Sequence, residues 1–463
     1  MTQIQTPSDR LGVGFMAAIF FVLGFITNFN MALKDQVQAT FDLSATTAQL
    51  VNGVFFFAYF CFSLLCGSFI KKRGYRSGII AGLLLIAIGS WLFYPAVSGT
   101  PSYPMFLGAI FIMATGVVFL QTAANPYVVA LGPQETASAR LNLVQSMNSI
   151  ATTVAPFLVG LLILTPASLA MGPKAVQLPF AIIGTVVALV AIGIGFIKLP
   201  EIRGAETVGR TTKRVWQNPG VILGAIGIFC YVGAEVGCST QIVPYLEAGG
   251  FAKDHAGRMV AIYWAGGMVG RFLGAVMLGS MERSRKLLFS AMFIVASYFI
   301  GWFIFSSRVA DGAFTFDSRP TEGLLFAGIA LFNFVCMSLG QGRTGLSLAI
   351  FGVTAAGLVL ATIGLPVSVG MWTLLSVGFF NSIMFPSIFS LAVRGVGSGE
   401  MPLASGIINT LIVGGAVVPL AMGWLTDNVS VRGALVVPAL CFAYIAFFAL
   451  RSGKIKSTQL NQY

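Results

Sequence analysis

Residues 119–132 read FLQTAANPYVVALG, and residues 378–393 read GFFNSIMFPSIFSLAV. Aligning Pro126 with Pro386 sets Gln121 opposite Asn381 at the same offset of 260 residues. Each stretch is an apolar run with an amide side chain five positions before an internal proline. Such a recurrence marks an internally repeated chain, and it has to be read before any single motif. A base-containing loop from Glu201 to Trp216 separates the two copies. The first copy uses about 198 residues for six apolar runs, and the second, from Gln217, uses about 247 for eight. Removing 286–342 leaves about 190, so a six-plus-six repeat with one inserted helical hairpin is expected.

The composition requires a membrane. Of 463 residues, 57% are hydrophobic and 9% charged, with a mean hydropathy of +0.88. A soluble domain is about 45–50% apolar and about 25% charged. A bilayer-crossing helix needs about 20 apolar residues. Fourteen such helices use about 280 residues, roughly 60% of the chain. This excludes a soluble enzyme, a nucleic-acid module and a disordered protein, and predicts an all-α polytopic membrane protein. Spans are expected at about 11–34, 47–70, 77–96, 103–131, 139–165, 178–198, 219–246, 256–280, 286–306, 322–341, 344–365, 369–393, 402–425 and 432–451. The first run is too long for a signal-peptide core and lacks a cleavage site, so it is expected to be retained.

The net charge of +12 is distributed through short loops and not over one soluble face. With the amino terminus inside, 19 bases fall in cytoplasmic segments, 7 in external ones, and Arg271 lies within a span. Basic residues accumulate on the cytoplasmic side, so both termini are expected there, in a cell inner membrane, and no nucleic acid is needed to explain the charge. All six cysteines fall in apolar runs without a CxxC pair, which leaves metal and disulfide readings without support. The single histidine, His255, lacks the companions of a metal site. No serine or cysteine has a base at a catalytic spacing. No enzyme activity, metal or cofactor is expected.

Two parallel six-helix halves around a central site are the pattern of the major facilitator superfamily. The stretch QTAANPYVVALGPQETASARLNLVQSMNS (121–149) resembles the fourth-to-fifth helix signature of its fucose:proton symporter family, which includes fucose and glucose/galactose permeases. FCYVGAEVGCST (229–240), GGMVGRFLG (266–274), NSIMFPSIFSLAV (381–393) and the loop GSFIKKRGYRSG (67–78) are similar to its other markers. Residues 286–342 have no counterpart in that pattern. The resemblance implies a six-helix bundle at 1–198, a cytoplasmic linker at 199–218 and a second bundle at 219–463 with the hairpin inserted. It implies import of a hexose such as glucose, galactose or fucose, with cation symport and alternating access, by a monomer. Gln121, Asn125, Gln145 and Asn148 are the ligand residues it carries over. The fucose pattern has an Asp in the first span and a Glu in the fourth. Here those positions read Met31 and Gln121, so the coupling ion, proton or sodium, stays open.

Polar side chains within hydrocarbon are costly and tend to face a bundle interior or a wet cavity. Amides offer a donor and an acceptor together, which matches a sugar hydroxyl. Asn142, Gln145 and Ser149 recur at three and four residues and share a face, with Asn148 beside them. Gln121 and Asn125 also share a face, whereas Asn28 and Asn30 cannot both point inward. Tyr231, Gln241 and Asn381 extend the candidate set into the second half. The competing reading for each is hydrogen-bonded glue between helices. Gly266, Gly270 and Gly274 are expected to be a packing face, since a nucleotide loop would need a preceding strand. Glu235 is the one acid well inside a span. It is expected either to carry the coupling cation or to pair with a base such as Arg271. A passive sugar uniporter or proton-coupled exporter is the alternative on the same fold. A sugar-sensing membrane protein ranks third, because no signalling domain follows the last span.

Overall fold

In the computed structural model the structure describes residues 7–32, 50–162, 176–196, 215–310 and 313–460, with isolated positions at 37, 41, 43, 47 and 174. The first half comprises α1 (Pro7–Ala32), α2 (50–73), α3 (75–96), α4 (Tyr103–Ala130), α5 (Ala137–Leu162) and α6 (Gln177–Phe196). The second comprises α7 (Pro219–Ala248), α8 (Lys253–Met277), α9 (Arg283–Ser306), β1 (Ser307–Ala310), β2 (Ala313–Phe316), α10 (Pro320–Leu339) and α11 (Thr344–Gly364). It continues with α12 (Val367–Asn381), α13 (Met384–Ala392), α14 (Met401–Thr410), α15 (Gly414–Asn428), α16 (Val431–Ala434) and α17 (Val436–Leu460).

Twelve helical segments among the described residues are long and apolar enough to cross a membrane. One of these, Leu50–Ala96, holds two crossings. It is divided at Gly74, whose φ of 82° lies where only glycine is at ease. Ala137–Leu162 has the length as well but carries the Asn142–Gln145–Ser149 face and is not among the twelve. With both counted, fourteen crossings stand where the hydropathy places them. α12 and α13 form one crossing broken at Ser382 and Ile383. Pro386 has no N–H for the Ser382 carbonyl, so the ladder is interrupted there. Its counterpart Pro126 sits inside an unbroken α4.

The described residues group into two compact units. One is drawn from 1–132, 150–218 and 395–413; the other from 133–149, 219–394 and 414–463. Relative to a division at the central loop, the stretches 133–149 and 395–413 change sides. They are themselves related by the 260-residue offset to within four residues, so the exchange follows the repeat. Glycines make these placements possible. In the first unit a Cβ on Gly67 of α2 would lie 2.6 Å from the Pro402 carbonyl oxygen, next to Gly406 of α14. In the second, the glycine stripe of α8 is the expected packing face. Gly266 abuts the Phe379 ring, Gly270 abuts Ser382, and Gly274 sits against Ile383 and the Asn142 amide.

The repeat also locates the extra pair of helices. In the first unit α3 packs on α6, with Gly184 against Trp91 and Ala87. In the second, α11 packs on α17 in the same manner, with Gly352 against Ala446 and Phe442. So α11 takes the place of α3, and α9 and α10 are the added hairpin. Only 17% of the α9 span and 33% of the α10 span is buried, against 61% for α8 and 100% for α12–α13. One polar tie fixes the hairpin inward: Asn333 donates to the Phe379 carbonyl at 3.0 Å. Between α9 and α10 the chain forms a small antiparallel ribbon with Ser307 opposite Phe316, a feature the hydropathy does not announce.

At Gly378 of α12, a Cβ would run into the Tyr263 carbonyl oxygen, whereas Gly357 on α11 faces open space. Gly378→Ala should therefore lower the stability of the micelle-solubilised protein by about 1–3 kcal/mol, the usual cost of overpacking, and Gly357→Ala should not lower it. Thermal unfolding of both variants measures the contrast.

Candidate functional site

Three polar side chains of the second unit, Glu235, Tyr231 and Ser149, converge on Arg271. Counted from the turn joining α7 to α8, Glu235 and Arg271 differ in depth by about five residues, or about 7 Å of helix rise. An arginine spans that offset. Its Nη2 donates to Glu235 Oε1 at 3.2 Å and to Tyr231 Oη at 3.3 Å, and its Nη1 donates to Ser149 Oγ at 2.5 Å. Tyr231, one helical turn before Glu235, donates its hydroxyl to the same carboxylate oxygen at 2.7 Å. The two charged side chains are only 11% and 12% exposed. A buried charge is tolerated when it is paired and its remaining hydrogen-bonding capacity is engaged, and this cluster meets that condition for the carboxylate oxygen that bears the pair.

A second line of contacts reaches the cluster from α12. Asn381 donates to Tyr263 Oη at 2.5 Å, and Tyr263 donates to the Glu235 backbone carbonyl at 2.9 Å. Thus α5, α7, α8 and α12 are tied together at one buried position. Tyr263 is the member that the sequence reading missed. A tyrosine in an apolar run reads as a membrane aromatic. The available signal is its spacing of eight from Arg271, two turns along one side of α8.

The other candidates of this unit differ in how they are engaged. Asn142 is fully buried, donates to the Ser138 carbonyl one turn back and rests against Gly274. Gln145 is 8% exposed, and its backbone carbonyl accepts from Ser149 at 3.1 Å. Asn148, the residue before Ser149, is half-buried. Gln241 accepts from Thr426 at 3.1 Å and so joins α7 to α15.

In the first unit, Tyr59 on α2 donates to Gln121 Oε1 at 2.7 Å, which holds the amide by its oxygen end. Asn125, one turn on, is fully buried, with no hydrogen-bond partner for either amide atom among the described residues. Asn28 donates to the Gly24 carbonyl at 2.9 Å and to Thr152 Oγ1 at 3.0 Å, fastening α1 to α5. The side chains of Asn30 and Met31 lie outside the described residues. Among the described residues no cluster of His, Cys, Asp and Glu is arranged to hold a metal ion.

Comparison with known proteins places these features in context. The family model for the Major Facilitator Superfamily matches residues 15–342. The glucose/galactose transporter of Brucella abortus is 36% identical, covering 95% of this chain and 93% of that protein. The L-fucose-proton symporter of Escherichia coli is 29% identical, covering 96% and 94%. Among solved structures, the major facilitator transporter FucP in the outward conformation matches with a TM-score of 0.73 at 27% identity, over 96% of this chain and 99% of that one.

The ion pair yields a stability prediction. Glu235→Leu strands the Arg271 charge in a buried site and should cost about 3–5 kcal/mol. Adding Arg271→Leu should recover much of that loss. Denaturation of the wild type, both single variants and the double variant in micelles provides the check; a double variant no more stable than Glu235→Leu would mean the two charges are not coupled.

Proposed function

We propose that this chain, which belongs to the major facilitator superfamily, is a secondary active transporter that imports a hexose together with a cation. Membership of the superfamily makes it a polytopic membrane transporter. The relatives called glucose/galactose transporter and L-fucose-proton symporter support a monosaccharide substrate. A six-helix bundle at 1–198 and a second bundle at 219–463 that carries the inserted hairpin, joined by a cytoplasmic linker, would open alternately to either side of an inner membrane, with both termini in the cytoplasm.

The observation that carries the coupling is the Glu235 carboxylate, 12% exposed and bonded to Tyr231 and Arg271. Neither Met31 nor Gln121 can bear a proton at physiological pH, so the exchangeable charge falls to Glu235. When Glu235 takes up a proton its attraction for Arg271 drops, and Arg271 is then free to change its grip on Ser149 of α5. Gln145 and Asn148 lie on that same part of α5, so the charge state of one carboxylate is felt beside the sugar-binding amides. A sodium ion at Glu235 would act through the same competition with Arg271. The ion pair also favours a second reading: if Glu235 serves only to neutralise Arg271, the chain is a passive sugar uniporter.

Glu235→Gln separates the two. Symport predicts that this variant loses uphill accumulation on an imposed proton or sodium gradient while sugar counterflow at equal concentrations continues. A variant that still concentrates sugar would remove Glu235 from coupling. For the binding amides, Gln121→Ala and Asn148→Ala should each weaken sugar affinity by about 1–3 kcal/mol, roughly five- to 150-fold, because a sugar hydroxyl is left without its partner in a desolvated site. Wild-type affinity in both variants would show those amides to be helix glue.

A further inference from the structure

The transport reading makes no use of the α9–α10 hairpin, yet the hairpin does more than cover lipid-facing surface. Its β-ribbon end borders a half-open cavity of about 340 Å³ within the second unit. The hairpin contributes Phe305, Arg319 and Glu322; α8 contributes His255 and Arg258; α12 contributes Ser368 and Trp372. The lining gathers at helix ends, the last turn of α9 and the opening turns of α8, α10 and α12, with Phe251 and Arg319 on the segments just before α8 and α10. The cavity is therefore reached from the aqueous side, the external side by the distribution of bases, without crossing hydrocarbon. A six-plus-six bundle without the hairpin would lack this wall.

The lining identifies the ligand class. Its volume falls at the lower end of small-molecule pockets, about 300–1,000 Å³. Arg258, Arg319 and Glu322 line it, and Asp317 pairs with Arg319 from outside the lining. Arg319 is already engaged, at 3.2 Å with Asp317 and 3.7 Å with Glu322, and a charged ligand would have to compete with those pairs. A neutral ligand does not. The polar lining holds donors in Arg258 and Arg319, an acceptor in Glu322, and hydroxyls in Thr321 and Ser368 that serve as either, and a hydroxylated solute can use both kinds. The aromatic groups come as two ring pairs, Phe305 with Trp372 at 5.5 Å and Phe251 with His255 at 5.5 Å. They supply the apolar faces that a ring of C–H bonds covers.

We propose that this cavity is a second binding site, distinct from the amide-lined transport site, for a neutral polyhydroxylated solute of monosaccharide size. Only the choice of probe rests on the transport reading; the site itself depends on the hairpin and the two helices that close it.

The test uses the full chain carrying Ser368→Cys, a residue exposed at the cavity wall, labelled with a membrane-impermeant maleimide in proteoliposomes. D-glucose or D-galactose at saturating concentration is expected to slow labelling at position 368 at least threefold. The protection should persist when Gln121→Ala and Asn148→Ala are added, and should vanish with Trp372→Ala. Persistence in the amide variants separates this site from the transport site, so it stands even if no sugar is transported. The proposal is overturned if neither sugar changes the labelling rate, if protection is lost in the amide variants, or if a zwitterionic amino acid protects and the sugars do not.

Discussion

Arg271 sits where hydrocarbon would otherwise surround it, and much of the second unit is arranged around keeping that charge satisfied. Its guanidinium reaches Glu235 and Tyr231 on α7 and Ser149 on α5. Because an isolated charge in a low-dielectric interior costs far more than any one packing contact, these partners cannot drift independently. The placement of the first part of α5, up to Ser149, in the second unit, although α5 belongs in sequence to the first half, is consistent with this requirement. The Asn381–Tyr263–Glu235 line extends the same tie to α12, the most buried crossing of the chain.

Close approach of backbones is the second condition, and glycine supplies it. Helices in lipid gain little from a hydrophobic effect between themselves, so association relies on tight van der Waals contact and buried hydrogen bonds. On α8 the two devices share one helix: Gly266, Gly270 and Gly274 admit α12 and α5, while Arg271 and Tyr263 make the polar ties. Bringing the backbones together sets the distances at which the ties can form. The added hairpin, with Asn333 as its inward tie and 17% of the α9 span buried, lies outside this arrangement.

Much of the fold was legible in the sequence because hydrophobic length is a direct physical demand of the bilayer. The fourteen crossings, the repeat at offset 260 and the hairpin at 286–342 all follow from run lengths and matched prolines. The ribbon of Ser307–Ala310 with Ala313–Phe316 was not read, since four-residue strands leave no hydropathy signal. Spacing placed Asn142, Gln145 and Ser149 on one face but could not say what stands opposite. Ser149 meets Arg271, while Asn142 meets the glycine stripe of α8. Asn28, Gln241 and Gln121 look alike in sequence, and each bonds to a neighbouring helix, through Thr152, Thr426 and Tyr59, whereas Asn125 has no such partner among the described residues. Whether Arg271 matched Glu235 in depth depended on the turn between α7 and α8, which sequence alone leaves unmeasured.

The central claim is that sugar entry and cation entry are one event. It is tested most directly by adding sugar to de-energised proteoliposomes containing the wild-type chain and recording ion movement. Internal pH is followed with a trapped dye and sodium with a radioactive tracer, with no ion gradient imposed. Coupling predicts that an inward sugar gradient alone drives proton or sodium uptake, in proportion to the sugar that enters. Sugar entering at full rate while neither ion moves would contradict it.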